Sequence, residues 1–153
     1  GLARAGQKRA NLALFHFRRY LLRAPNSPWK QRVQQHIKKL GAPTFAADLE
    51  LRGSGIWIRT EMLKAISAKK KEMRACLSGH PLVLAKVSIS GVKRSTSATV
   101  QVHAIIEAQH DTEDEALDTI VTCLETQGRG IKAPKLAGSN GSHSTAAFTI
   151  LGE

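Results

Sequence analysis

Residues 1–47 contain ten Lys or Arg and no Asp or Glu, the pattern in this chain with the clearest chemical meaning. The cations are Arg4, Lys8, Arg9, Arg18, Arg19, Arg23, Lys30, Arg32, Lys38 and Lys39. From Asp48 to Glu153 thirteen basic and twelve acidic residues nearly cancel, so +10 of the formal +11 sits in the first third. Like charges crowded in this way repel one another unless an anion is close. Long cationic side chains, together with the amides of Gln31, Gln34 and Gln35, can follow a phosphate backbone without reading its bases. The stretch points to a polyanion, with RNA, and ribosomal RNA in particular, as the expected partner beside neighbouring protein subunits. A basic amphipathic helix can also lie on anionic lipid, and Leu14, Phe15, Phe17, Tyr20 and Leu21 would suit that. Membrane contact is the second reading.

The remaining reactive residue types form no recognisable catalytic pattern. His16, His36, His80, His103, His110 and His143 are scattered, without HExxH or a Cys/His ligand spacing. His103 and His110 would form an acid–base group with Asp111 only if the fold converged them. Asp111, Glu113, Asp114, Glu115 and Asp118 crowd a helix start, where carboxylates complement the dipole. Acids spread round a helix axis do not converge as divalent-cation ligands do. Gly53-Ser54-Gly55 lacks the Lys-Ser/Thr of a phosphate loop, and the 138–143 segment lacks the strand and helix that flank a hydrolase nucleophile. No catalytic residue, metal ligand or cofactor is assigned, and the chain reads as a non-enzyme.

Cys76 and Cys123 are too few for a disulfide framework and lie beside apolar positions of apparent helices. They read as small buried thiols, which fits a reducing compartment. An Arg-rich, acid-free start resembles an organelle transit segment, yet Ser27 is its only serine before Asp48. The expectation is a mature mitochondrial matrix protein, with Gly1 at a processing site and its leader upstream. No apolar run approaches the roughly 18–20 residues that span a bilayer.

Several elements must carry these residues. An amphipathic helix over about Lys8 to Arg23 has Leu14, Phe17 and Leu21 on its apolar face, flanked by Phe15 and Leu22, with Arg18 intruding. After Pro25, Ser27 and Pro28 open a second helix to Leu40, striped by Trp29, Val33, Ile37 and Leu40 and stopped by Gly41 and Pro43. Alternation predicts a strand over Phe45–Leu51, then Ile56-Trp57-Ile58 as a short strand or apolar plug. Thr60 would cap a helix to Ser78, with Met62, Ile66, Met73 and Leu77 inward and Lys69-Lys70-Lys71 midway.

Val83–Ile89 and Val100–Ile106 form an antiparallel hairpin whose turn, Gly91 to Ser97, exposes Lys93 and Arg94 as further RNA contacts. Asp111–Gln127 is a helix with a Thr112/Glu115 capping box and an inward stripe of Leu117, Ile120, Val121 and Leu124. A long Gly-, Lys- and Ser-rich connection precedes a last strand with Ala146, Phe148 and Ile150 inward.

The order describes an α+β fold: a basic helical head, 1–43, then a ferredoxin-like split βαββαβ sandwich, 44–153, of a four-stranded antiparallel sheet and two helices. RNA-recognition motifs share that arrangement and stack bases on aromatics of the open sheet face. Here the outward positions would be Asp48, Glu50, Thr99, Gln101, His103, Ile105 and Glu107, which do not suit RNA. The head and the Lys-rich loops are therefore the expected RNA-binding parts. The function expected is an architectural subunit of an organellar ribosome. The rival is a soluble accessory subunit of a respiratory or ATP synthase membrane complex.

Overall fold

The computed structural model describes residues 2–40, 45–55, 57–93, 99–136 and 138–153, with backbone alone for 2–9, 40 and 99. In chain order they form α1 (Leu2–Arg23), α2 (Lys30–Leu40), β1 (Glu50–Gly53), α3 (Arg59–Ser67), α4 (Lys70–Cys76), β2 (Val83–Val92), β3 (Thr99–Gln109), α5 (Asp114–Arg129) and β4 (His143–Leu151). The fold is α+β, with a four-stranded antiparallel sheet and, among the described residues, five helices.

The strand order is β1-β4-β2-β3. β2 and β3 form the expected hairpin, with Val87 opposite Ala104 and Ser88 opposite His103. The connection from β1 to β2 through α3 and α4 passes over β4, and that from β3 to β4 through α5 passes over β2. Two split β-α-β units are thus interleaved, with β4 and β2 at the centre.

Side chains alternate across a strand, and this alternation sorts the sheet into two faces. On one face Ala85, Val87, Ile89, Val102, Ala104, Ala146, Phe148 and Ile150 meet Met62, Ile66, Met73, Leu77, Ile120 and Leu124 of α3–α5 in a single core. Trp57 is buried against the same face and donates through Nε1 to the Pro134 carbonyl at 3.0 Å. Gly91 gives it room, because a Cβ there would come within 2.6 Å of the indole. The tryptophan is a plug, as one of the two expectations had it. The connection after α5 is pinned through Pro134 and through buried Ile131 and Leu136.

The first strand starts later than alternation suggests, at Glu50 instead of Phe45. Residues 45–48 are a turn with Ala46 at φ 57°, and Leu49 N–H donates back to the Ala46 carbonyl at 3.1 Å. Asp48, expected on an open sheet face, is buried, and its carboxylate accepts the Thr149 N–H at 3.1–3.2 Å and the Thr149 hydroxyl. A side-chain acceptor thus replaces the backbone carbonyl that a longer strand would have supplied.

The helix expected from Thr60 to Ser78 is two helices broken at Ala68–Lys69, and its N-cap is Ile58, without a side-chain cap. Met62, Ile66, Met73 and Leu77 are all buried and in phase across the break, so hydrophobic period could not reveal it. α5 starts at Asp114, with Glu113 as N-cap and no side-chain cap bond, so the expected Thr112 capping box does not form. Thr112 Oγ1 instead donates to the His110 carbonyl at 3.3 Å.

The cysteines differ most from expectation. Cys76 at the end of α4 and Cys123 within α5 are joined as a disulfide with Cα atoms 5.7 Å apart, half-buried between the helices. Each sequence position looks like an apolar neighbour of a helix stripe. Only the packing of α4 on α5 brings the two sulfurs together.

Candidate nucleic-acid interface

On α1 the face turned to the protein is set by polar as well as apolar residues. Thr149 lies between core residues Phe148 and Ile150 and therefore projects from the opposite side of the sheet, where Asn11 Nδ2 donates to its Oγ1 at 2.8 Å. A buried relay runs Asn11–Thr149–Asp48, with Leu14 and Phe15 buried alongside. Arg18 completes the face: its Nη1 donates to the carbonyls of Pro81 at 2.9 Å and Gly152 at 2.7 Å. Burial pushes the Arg18 guanidinium below its ordinary range, and the charge of Glu153 partly offsets this. It stays a cation at neutral pH.

Residues 11, 14, 15 and 18 have the i, i+3, i+4, i+7 spacing of one helical face. Of the expected apolar stripe, Leu14 belongs to this face, whereas Phe17 and Leu21 are rotated away from it and only half-buried. Arg18 looks like an intruder in sequence because its partners are backbone carbonyls that no local pattern announces. Asn11 is absent from the sequence-based reading altogether, and its spacing to Leu14, Phe15 and Arg18 is the signal that could have found it.

Phe17 faces α2, stacking on His36 with ring centroids 5.7 Å apart. Between the helices Ser27 Oγ accepts the Trp29 N–H at 3.2 Å and is also bonded to Tyr20, but it stands before the turn that leads into α2 and is not that helix's N-cap. α2 begins at Lys30, two residues later than Pro28. Its stripe is shallow: Val33 and Ile37 are half-buried and Trp29 is 56 % exposed. The expected stop at Gly41 and Pro43 lies outside the described residues.

The structure divides the twelve candidate contact residues into distinct groups. Arg23, Lys30, Arg32, Lys38 and Lys39 are exposed at the end of α1 and along α2. Arg18 is engaged with the body, and Arg19 is half-buried with its Nε enclosed and unpartnered. Lys93 donates from Nζ to the Gly138 carbonyl at 2.6 Å and ties the hairpin to the 138–142 loop. The side chains of Arg4, Lys8 and Arg9 lie outside the described residues, as does Arg94 with most of the expected hairpin tip.

Lys70 and Lys71 line a surface groove along α4 with Arg74, Glu72 and Glu153. The same C-terminal residue acts on Arg18, so the groove meets the head at Gly152–Glu153. Lys69 sits apart, with Nζ 3.1 Å from the position a Gly130 Cβ would take, beside the end of α5.

Tertiary structure also creates side-chain pairs that are separate in sequence. Ser54 Oγ lies 3.2 Å from His143 Nδ1 and accepts the His143 N–H at 3.1 Å. An activated serine needs its base oriented by a third group. Among the described residues no carboxylate forms an ion pair with His143, and both side chains are exposed. The pair closes the end of the β1–β4 ladder. His110 Nε2 meets Asp111 at 3.2 Å, while His103 faces Glu125 at 3.8 Å, so the two histidines do not converge on one acid. Among the described residues no three His, Cys, Asp or Glu side chains are grouped to hold a metal ion, and no helix is long and apolar enough to cross a membrane.

Comparison of the chain with protein-family models, with curated proteins and with solved structures returned no match.

Proposed function

We propose that this chain is a non-catalytic architectural subunit of a large ribonucleoprotein, an accessory protein of an organellar, mitochondrial ribosome that contacts rRNA phosphates through its basic N-terminal helices. One observation carries the reading: ten cations without an acid in residues 1–47, of which Arg23, Lys30, Arg32, Lys38 and Lys39 stand exposed together on α1 and α2. Neutralising phosphates releases condensed counterions, so five such contacts correspond to a log–log salt slope of about −4. The remaining surfaces would dock on neighbouring proteins, and simultaneous contacts hold an assembly without turnover. We assign the body to the ferredoxin-like group in the broad sense of two split β-α-β crossovers, with its own central strand pair.

Burial of Leu14 and Phe15 against the sheet removes two of the side chains that a lipid-bound head would use. That is why RNA is preferred to membrane. The Cys76–Cys123 disulfide pulls against a reducing matrix, since such bonds persist chiefly in oxidising compartments. Thiol labelling in a fresh extract separates the two kinds of compartment.

Sedimentation of the tagged chain from a gently lysed extract, with and without RNase at matched salt, tests the proposal. Co-migration with ribosome-sized particles that RNase abolishes supports it. Migration with detergent-solubilised membrane complexes, insensitive to RNase, overturns it.

A further inference from the structure

Trp29 is a large aromatic that the fold leaves more than half exposed at the start of the most basic helix. Its backbone is held on both sides. Ser27 Oγ holds its N–H, Tyr20 holds Ser27, and the Trp29 carbonyl accepts the Val33 N–H at 3.0 Å. The Arg32 guanidinium lies over the ring, 5.5 Å from its centroid. The indole is thus fixed at its base and flanked by a cation, with much of its surface open to solvent.

Arg32 follows the indole by one turn, and Gln35 and Lys39 continue its file along α2, turned by about 80–120° round the axis from the indole. At a rise of about 1.5 Å per residue, the file from Trp29 to Lys39 is about 15 Å long, enough to meet more than one phosphate of a strand. An aromatic platform at one end of a cationic file matches the chemistry that holds single strands: stacking on base faces with electrostatic tracking of the backbone. Every nucleotide pairs a flat π surface with a phosphate, a combination that a lipid headgroup lacks. A base inside a duplex is already stacked on both sides and cannot use the platform.

We propose that Trp29 is a base-stacking platform and that, with Arg32 and Lys39, it makes α2 a reader of single-stranded RNA segments over duplex. The inference deepens the RNA-binding reading and rests on it. The full chain offers an internal probe, because its other tryptophan, Trp57, is buried and hydrogen-bonded inside the body. Titration with an oligouridylate should quench tryptophan emission, and duplex RNA of equal length should quench far less. Trp29→Ala should abolish the quenching and weaken oligouridylate binding about 5- to 100-fold, while Trp29→Phe recovers most of the affinity. Heparin, which has charge but no bases, should bind Trp29→Ala within about twofold of the parent, since the cations are untouched.

Equal binding of single-stranded and duplex RNA, unchanged by Trp29→Ala and without quenching, would overturn the platform and leave the RNA reading standing. Binding of heparin or of anionic phosphatidylserine vesicles, with no RNA of either form bound, would overturn both.

Discussion

Arg18 and Lys39 carry the same charge in the same acid-free stretch, yet their surroundings give them different work. Arg18 donates to the carbonyls of Pro81 and Gly152, whereas Lys39 extends into solvent. Hydrogen bonds from a charged donor contribute about 1.5–3 kcal/mol each to stability. With two such bonds, both partly exposed, Arg18→Ala should lower the urea midpoint by the equivalent of about 3 kcal/mol, the low end of their sum, and leave RNA affinity at fixed salt nearly unchanged. The Lys38→Ala/Lys39→Ala pair should do the reverse, leaving the midpoint in place and reducing the salt slope by about 1.5 to 2. If both variants lose affinity alike, the distinction drawn between docked and free cations is wrong.

Thr149 is a second residue whose role is set by its partners. Its hydroxyl accepts from Asn11 and donates to Asp48, all three residues being buried. Thr149→Val keeps the shape and strands two polar groups, which should cost about 2 kcal/mol. The loss should localise to α1, seen as faster amide exchange there before the sheet responds.

At the scale of elements, the disulfide ties α4 to α5 across 47 residues of sequence. Closing a loop of that length stabilises by about 4 kcal/mol through the unfolded state, so Cys76→Ser should lower the midpoint by an amount of that order. Iodoacetamide added to a freshly opened extract should label neither cysteine until a reductant is supplied. Immediate labelling of both would mean free thiols and a reducing home for the chain. Gly53 ends β1 at φ +131°, and a Cβ there would lie 2.2 Å from the His143 carbonyl oxygen. Gly53→Ala should therefore open the β1–β4 end, cost about 2 kcal/mol or more, and disrupt the Ser54–His143 pair, seen as a shift of the His143 ring resonances.

For the whole molecule, charge and fold are arranged on different parts of the chain. The body from Asp48 onward is nearly neutral and has a core on one sheet face. The other face is partly covered by α1 through Asn11, Leu14, Phe15 and Arg18. α2 packs on α1 through the Phe17–His36 stack and bears exposed cations. Raising salt from about 50 to 200 mM should weaken RNA binding by about two to three orders of magnitude while the urea midpoint moves little. A midpoint falling in step with affinity would place the cations inside the fold instead of on its surface.

Much of the architecture is legible in local periodicity, because period 2 and period 3.6 record which face of an element meets the core. Spacing alone turns Ala85, Val87, Ile89, Ala146, Phe148 and Ile150 inward, and likewise Met62, Ile66, Met73 and Leu77, and all of them are buried. Charge segregation is likewise a property of composition, and the acid-free stretch is visible in any conformation. The strand order β1-β4-β2-β3, the docking face of α1, the Asn11–Thr149–Asp48 relay and the bonding of Cys76 to Cys123 were decided by tertiary structure alone. Each joins residues far apart in the chain, and nothing in the local pattern of either partner encodes the distance to the other.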